Sequence, residues 1–207
     1  MQLILASASP RRAQILRDAG LRFEIVQANV SERRKRGESA RMLTRRLAQN
    51  KAHAAVRKIV RRLGENPPPA IVIAADTIVE VNGQLLGKPH SSSAAREMLR
   101  RLSGRTHRVV TSVTVIRLPD RAAATATEST RVRFSTLSAR DIAGYVASGE
   151  PLDKAGAYAV QGVGGRFIER IEGCYFNVVG LPLARLYRML MGLGWHGDVP
   201  RRTTTSG

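Results

Sequence analysis

The spacing of apolar and polar positions predicts a chain of strands and helices from its first residues. An apolar run, Leu3–Leu5, gives way to small residues and then to Pro10. Because proline is tolerated in the first turn of a helix and Ser9 is a suitable N-cap, the stretch predicts a strand, a loop and a helix. Gly20 is placed to end that helix. A second strand is predicted around residues 23–25.

One long amphipathic helix is predicted from Ser39 to Leu63. Apolar residues recur on one of its faces, at Leu43, Leu47, Ala52, Ala55, Val56, Ile59 and Leu63. Lys51 interrupts this face. A lysine in such a place either runs along the apolar surface to reach water or binds an anion, and the pattern leaves both interpretations open.

The most continuously apolar run, Ala70–Ala75, predicts a central strand that is covered on both faces. It is followed directly by Asp76 and Thr77. Ligand sites of open α/β sheets lie beyond the carboxyl ends of their strands, and a buried acid there must be solvated, paired or bound to a metal. We therefore favour a functional role for Asp76 over a structural turn cap.

A hairpin is predicted next, because Asn82-Gly83 separates two short strand-like runs, 78–81 and 84–86. The hairpin would deliver Lys88 to a fixed place. A lysine held in this way is a candidate for phosphate contact, with exposure to solvent as the alternative.

The second half of the chain alternates between helix and strand patterns. Helices are predicted to begin after Ser91–Ser93, at the capping-box pair Ser138 and Asp141, and at Pro182. Strands are predicted over 109–118, 123–135 and 167–171. A turn is expected at Asn177–Gly180. Between these elements, residues 150–162 mix polar groups with small residues, as a pocket wall does. Gln161 in this segment either contacts the polar edge of a base or bonds to the backbone.

The composition narrows the choice of partners. The 207 residues include 34 Lys and Arg against 16 Asp and Glu, for a net charge of +18, but only nine aromatic residues. Nucleic-acid surfaces usually combine basic stripes with aromatic stacking platforms, so a phosphorylated small molecule is favoured over nucleic acid. Cys174 is the one cysteine, and no apolar run approaches the length of a membrane span. A cytoplasmic protein without internal disulfides is expected.

Candidate chemistry begins at the first predicted loop. Ser7 and Ser9 precede Arg11 and Arg12 at the start of a helix, where unpaired N–H groups and the helix dipole attract anions. These residues indicate a phosphate site. Residues 3–12 leave one alternative open, an ordinary capped helix with two solvated arginines.

Six motifs in this order resemble the Maf-like nucleoside triphosphate pyrophosphatases. They are Ser7-Ala8-Ser9-Pro10-Arg11-Arg12, Ala75-Asp76-Thr77, Gly87-Lys88-Pro89, Leu102-Ser103-Gly104, Asp153-Lys154-Ala155-Gly156-Ala157-Tyr158 and Gly180-Leu181-Pro182-Leu183. The resemblance implies an elongated mixed-sheet α/β fold flanked by helices, with a cleft between two lobes, similar to inosine triphosphatases. It also implies a homodimer. We expect one domain over residues 1–196 and, from the polarity of the residues, a disordered tail over 197–207.

The resemblance also assigns roles to residues. Asp76 matches the family's proton acceptor, and Glu32 and Asp76 would bind a divalent cation, Mg²⁺ or Mn²⁺. The substrate-binding positions would be Ser7, Arg11, Arg12, Lys51, Thr77, Lys88, Lys154 and Gln161. Among these, Arg11, Thr77 and Gln161 match the positions that track substrate choice.

The implied reaction is hydrolysis of the α–β phosphoanhydride of a nucleoside triphosphate. The pattern around Lys154 and Gln161 resembles the branch that acts on dTTP and UTP. The alternatives are a non-enzymatic regulator that binds nucleotides or nucleic acid, which the +18 charge suggests, and a phosphatase that releases orthophosphate stepwise.

Overall fold

A computed structural model describes residues 1–197. It contains seven strands, β1 Gln2–Leu5, β2 Phe23–Ile25, β3 Ala70–Val81, β4 Gln84–Leu86, β5 Thr106–Leu118, β6 Ala123–Phe134 and β7 Ile168–Glu172. Six α-helices accompany them within this range, α1 Pro10–Asp18, α2 Ala40–Leu63, α3 Ser92–Leu102, α4 Ala139–Ala147, α5 Tyr175–Val179 and α6 Leu183–Gly192. Apart from its first residue, the tail predicted over 197–207 lies outside the described residues.

The strands form one mixed sheet in the order β2-β1-β3-β5-β6-β7, with β4 paired to β3. Strand β1 is parallel to its two neighbours, and the remaining pairs are antiparallel. Helices flank this sheet, so the predicted mixed-sheet α/β class is confirmed. The hairpin is confirmed as well, since Val81 pairs with Gln84 and both turn residues, Asn82 and Gly83, have positive φ.

Two apolar clusters pack against opposite ends of the long strands, on the same face of the sheet. The first joins α1 and α6 to the beginning of β3 and the end of β5. The second joins α3 and α4 to the end of β3, the beginning of β5 and the end of β6. Polar residues lie between them, at Thr77 on β3 and Thr111 directly opposite on β5. The two clusters are the cores of the two predicted lobes, and the strands run through both.

A gap in the pairing of β3 opens the sheet at this junction. Strand β1 pairs with residues 70–73 of β3 and then ends, whereas β4 pairs with residues 79–81. Neither strand covers the edge of β3 between residues 74 and 78. Asp76 and Thr77 lie in this gap, on opposite faces of the sheet.

Several local predictions need correction. Asp76 does not end its strand, because β3 continues to Val81; the neighbouring strand β1 is what ends beside it. Ser9 occupies the N-cap position of α1, but its side chain accepts no capping hydrogen bond. The expected turn at Asn177–Gly180 belongs largely to α5, and Leu63 is exposed at the end of α2. No helix among the described residues is long and apolar enough to cross a membrane.

Candidate functional site

A cleft of about 600 Å³ lies over the gap in β3, between the two lobes. It is lined by all ten residues that the sequence placed in the site: Ser7, Arg11, Arg12, Glu32, Lys51, Asp76, Thr77, Lys88, Lys154 and Gln161. They come from separate segments: the β1–α1 loop, the first turn of α1, the loop before α2, α2 itself, β3, the stretch after β4 and the segment before β7. The structure therefore brings the predicted site residues together.

Lys51 lies between the two carboxylates of the cleft. Its Nζ atom is 2.6 Å from Oδ1 of Asp76 and 2.6 Å from Oε1 of Glu32. The Lys51 side chain is mostly buried, because α2 packs this face against the sheet. The ammonium of Lys51 therefore contacts two anionic groups of the chain itself, and its contact with a bound anion stays a prediction.

The two carboxylates differ in their environments. Burial raises the pKa of Asp76 above its ordinary value, against the opposing effects of Lys51 and Arg12. Burial also acts to raise the pKa of Glu32, but the hydrogen bond from Lys51 and the charges of Lys51, Lys88 and Arg12 outweigh it, so this pKa is lowered. The more buried carboxylate is thus the one on which a proton is the more stable.

Arg12 is held by contacts from three directions. Its guanidinium donates from Nη1 to Ser7 Oγ at 3.2 Å, from Nη2 to Thr77 Oγ1 at 3.0 Å and from Nε to the carbonyl of Gly180 at 2.9 Å. Burial lowers its pKa, and the charge of Asp76 opposes that shift. A guanidinium carries more N–H donors than these contacts use, so Arg12 is fixed and can still bind an anion.

Arg11 and Lys154 share a carboxylate at the mouth of the cleft. Arg11 lies 3.3 Å from Oδ2 of Asp153, and Lys154 contacts the other oxygen of the same group. Lys154 also donates to the carbonyl of Glu150 at 2.7 Å. Asp153 therefore pairs with its neighbour Lys154 and with Arg11 across the cleft.

The hairpin places Lys88 as expected, on the wall of the cleft. The backbone N–H of Gly156 donates to the carbonyl of Gly87 at 3.0 Å, which ties the hairpin to the segment that carries Lys154 and Gln161. Gly156 has a φ of +73°, and a Cβ there would lie 2.8 Å from Val79. Glycine is needed at this close approach.

Comparison with protein families agrees with this geometry. The model of the family described as Maf-like protein matches residues 2–193. The chain belongs to the Maf-like family.

Similar curated proteins cover nearly the whole Maf-like chain. A protein of Clostridium perfringens strain SM101 is 47% identical over 92% of this chain and 96% of its own length. One from Salmonella typhimurium is 48% identical over 91% of each chain, and one from Syntrophomonas wolfei is 44% identical over 92% of this chain and 96% of its own. Each is named dTTP/UTP pyrophosphatase.

A solved structure shares the fold. The Ham1 protein of Staphylococcus aureus superimposes with a TM-score of 0.52 at 16% identity, over 93% of the Maf-like chain and all of that chain. At this identity the likeness concerns the fold.

The Maf-like cleft has the donor chemistry for a small hard cation. Glu32 and Asp76 present oxygens that meet at one point, now bridged by Lys51. No group of three or more His, Cys, Asp or Glu side chains suited to a metal occurs among residues 1–197. Mg²⁺ is commonly held by one or two carboxylates together with substrate phosphates, and the donor set fits that arrangement.

The loop that carries Glu32 is anchored by a residue that sequence reasoning missed. Glu38 is buried, and both of its carboxylate oxygens accept hydrogen bonds from Arg46. Nε of Arg46 donates to Oε1, and Nη2 donates to Oε2 at 2.7 Å. Its Oε2 also accepts from the backbone N–H of Lys35, and its carbonyl accepts from Arg34. The basic residues 33–36 are exposed, and the contacts of Glu38 fix the backbone of this run. The signal in the sequence was Glu38 itself, an acid two residues after that basic run.

An aromatic group supports the wall that carries Gln161. His107 Nε2 lies 2.7 Å from the hydroxyl of Tyr158, which lines the cleft, and both rings pack edge-on against Phe134. Burial lowers the pKa of His107 to about 4. The imidazole is therefore neutral at pH 7, a feature that the sequence pattern did not indicate.

Proposed function

We propose that this chain is a nucleoside triphosphate pyrophosphatase that hydrolyses the α–β phosphoanhydride of dTTP and UTP. The observation that carries the proposal is one cleft in which a buried carboxylate, Asp76, faces a set of cations from separate elements. The names of the similar proteins give the nucleotide bases. Release of a nucleoside monophosphate and pyrophosphate is the expected outcome.

Binding rests on the cations of the cleft. Arg11, Arg12, Lys51 and Lys88 hold the triphosphate, with Ser7 beside Arg12 and Lys154 at the mouth. A hydrogen bond to a charged group contributes roughly 1.5–3 kcal/mol, so a few such contacts hold the substrate without a large aromatic pocket. Gln161 and Thr77, which both line the cleft, would adjust substrate choice together with Arg11.

Asp76 accepts the proton of the attacking water in this proposal. As the water oxygen bonds to the α-phosphorus, the bond from that phosphorus to the bridging oxygen breaks, and pyrophosphate leaves with the electron pair. Phosphoryl transfer depends on positioning and on neutralising charge more than on covalent catalysis, which suits a site built from fixed cations. The raised pKa of Asp76 makes it a better proton acceptor than an exposed aspartate.

Glu32 and Asp76 would hold a divalent cation, Mg²⁺ or Mn²⁺. When bound, that cation neutralises phosphate charge and lowers the pKa of a coordinated water. Lys51 would then turn from the carboxylates towards a phosphate oxygen. The homodimer and the cytoplasmic location stay predictions from the sequence.

A panel of nucleoside triphosphates tests the proposal. The purified chain is incubated with each nucleotide in Mg²⁺ or Mn²⁺, and both pyrophosphate and orthophosphate are measured. Pyrophosphate and monophosphate in equal amounts, with dTTP and UTP turned over fastest, are expected. Orthophosphate as the first product would indicate the stepwise phosphatase. No turnover, together with salt-sensitive DNA binding, would favour the non-enzymatic regulator.

A further inference from the structure

A chain of buried polar groups lies directly behind the cleft. Thr111 on β5 and Asn177 on α5 are fully buried, and neither lines the cleft. Polar groups without access to water are costly unless they are hydrogen-bonded, so their partners define what they do.

The chain runs from the cleft into the protein. Arg12 Nη2 donates to Thr77 Oγ1 at 3.0 Å, and Thr77 Oγ1 lies 2.9 Å from Thr111 Oγ1. Thr111 Oγ1 in turn lies 3.2 Å from the backbone carbonyl oxygen of Asn177. Thr77 and Thr111 sit opposite each other in antiparallel strands, so the sheet itself fixes their separation.

The direction of these hydrogen bonds follows from counting protons. A guanidinium only donates and a carbonyl only accepts, whereas each threonine hydroxyl has a single proton. Thr111 donates to the backbone carbonyl of Asn177 at 3.2 Å. Thr77 then supplies the proton of its 2.9 Å contact with Thr111, in preference to its longer contact of 3.4 Å with the Gly180 carbonyl. The proton of Thr77 therefore points into the protein, and its lone pair faces Arg12. The opposite direction would leave the Asn177 contact without a proton.

Asn177 also fixes the end of helix α5, where the Gly180 carbonyl accepts a hydrogen bond from Arg12. Its Nδ2 donates to the carbonyl of Val109 and to Thr130 Oγ1, each at 2.9 Å. Helix α5 has five residues and is too short to be stable alone, so these contacts decide where its end lies. That end carries the Gly180 carbonyl, which accepts from Arg12 Nε at 2.9 Å.

We propose that Thr111 and Asn177 are positioning residues that hold Arg12 for phosphate, through Thr77 and through the Gly180 carbonyl. The inference rests on the proposed function only in taking phosphate as the ligand of Arg12. Because the hydroxyl chain points towards Asn177, Thr77 accepts a single proton of Arg12, and the guanidinium protons that Thr77, Ser7 and Gly180 do not use remain for a phosphate oxygen. The guanidinium is fixed before the ligand arrives.

A hydroxyl deletion with a matched control tests this role. Thr111→Val removes the hydroxyl at nearly constant volume. Thr114→Val is the control, since Thr114 lies on the same strand, is equally buried and bonds to Thr125 Oγ1 at 3.0 Å, away from the cleft. Thr111→Ser restores the hydroxyl, and Thr111→Cys, with a weaker donor, replaces the valine variant if that one fails to fold. Melting temperatures verify that each variant is folded.

Pyrophosphate binding to the full chain, measured by calorimetry, is the first readout. We expect Thr111→Val to weaken it about fivefold and Thr111→Ser to recover most of the loss, with less than a twofold change in the control. A second readout is kcat/KM in the Arg12→Lys background, where Thr111→Val should add less than a further twofold loss, because residues acting through one another are not additive.

The outcomes separate this inference from the proposed function. Equal effects of Thr111→Val and Thr114→Val, full additivity with Arg12→Lys, or no pyrophosphate binding by the wild type would each overturn the positioning role. A wild type that binds pyrophosphate with the expected variant pattern, yet hydrolyses no nucleotide, would support the positioning role and refute the proposed function.

Discussion

Lys51 Nζ lies 2.6 Å from Asp76 Oδ1, in a contact that joins helix α2 to the middle of strand β3. Both side chains are largely buried, so their opposite charges compensate each other in a place where a single charge would be costly. The pair explains how an acid is maintained in the core of the sheet, at the point where β1 has ended. It also predicts how the site responds when either member is changed.

Asp76→Asn should reduce pyrophosphate release at least about 100-fold, because the amide keeps the size of the side chain but cannot accept the proton. Nucleotide binding, measured by calorimetry, should be largely retained. Asp18→Asn, an exposed aspartate at the end of α1, is the control and should keep the wild-type rate. Near wild-type turnover by the Asp76 variant would refute its role as proton acceptor.

Lys51→Met should lower kcat/KM roughly 10- to 100-fold, the effect of losing one hydrogen bond to a charged group. It should also move the acid limb of the pH–rate profile to higher pH. Burial already raises the pKa of Asp76 and Lys51 opposes that rise, so removing the ammonium raises the pKa further. Lys58→Met, on the exposed side of the same helix, is the control. An acid limb that stays in place would contradict this account of the pair.

Glu38→Gln should destabilise the fold at neutral pH and much less in acid. The contact with Arg46 holds the pKa of Glu38 down at about 2, below its ordinary value. A carboxylate with a lowered pKa contributes stability above its unfolded pKa, near 4.5, and that contribution is lost as the pH falls towards 2. Urea unfolding of both proteins between pH 7 and pH 3 measures the difference.

The control for Glu38 is Glu65→Gln, whose side chain is largely exposed beside Arg121. Exposed ion pairs contribute little, so this variant should unfold like the wild type at every pH. A difference between Glu38→Gln and the wild type that is constant with pH would argue against the ion pair as the source of the effect.

The pKa of His107 should lie far below that of an ordinary histidine. Burial lowers its pKa to about 4, whereas the unfolded chain takes up the proton near 6.5. Stability that depends on the neutral ring is therefore present above pH 6.5 and is lost as the pH falls towards 4. Nitrogen chemical shifts of the ring, followed by NMR from pH 7 to pH 4, measure the titration. A midpoint near 6.5 would be incompatible with the buried contact to Tyr158.

Local pattern was sufficient for most elements of the fold. The Asn82-Gly83 hairpin, the capping box at Ser138 and Asp141 and the helix beginning after Ser39 depend on neighbouring residues, and the structure has them where the sequence placed them. The resemblance to the Maf-like family likewise predicted the residues that line the cleft.

The tertiary structure decided what depends on distant partners. Asp76 faces the cleft because a different strand, β1, ends beside it, and no pattern within β3 carries that information. The buried hydroxyl of Thr111 likewise acquired its hydrogen-bond direction, and the side-chain amide of Asn177 its partners, only when β3, β5, β6 and α5 packed together. Sequence determines local conformation through neighbours a few residues apart, whereas the position of a proton between two strands depends on register, which only the folded sheet sets.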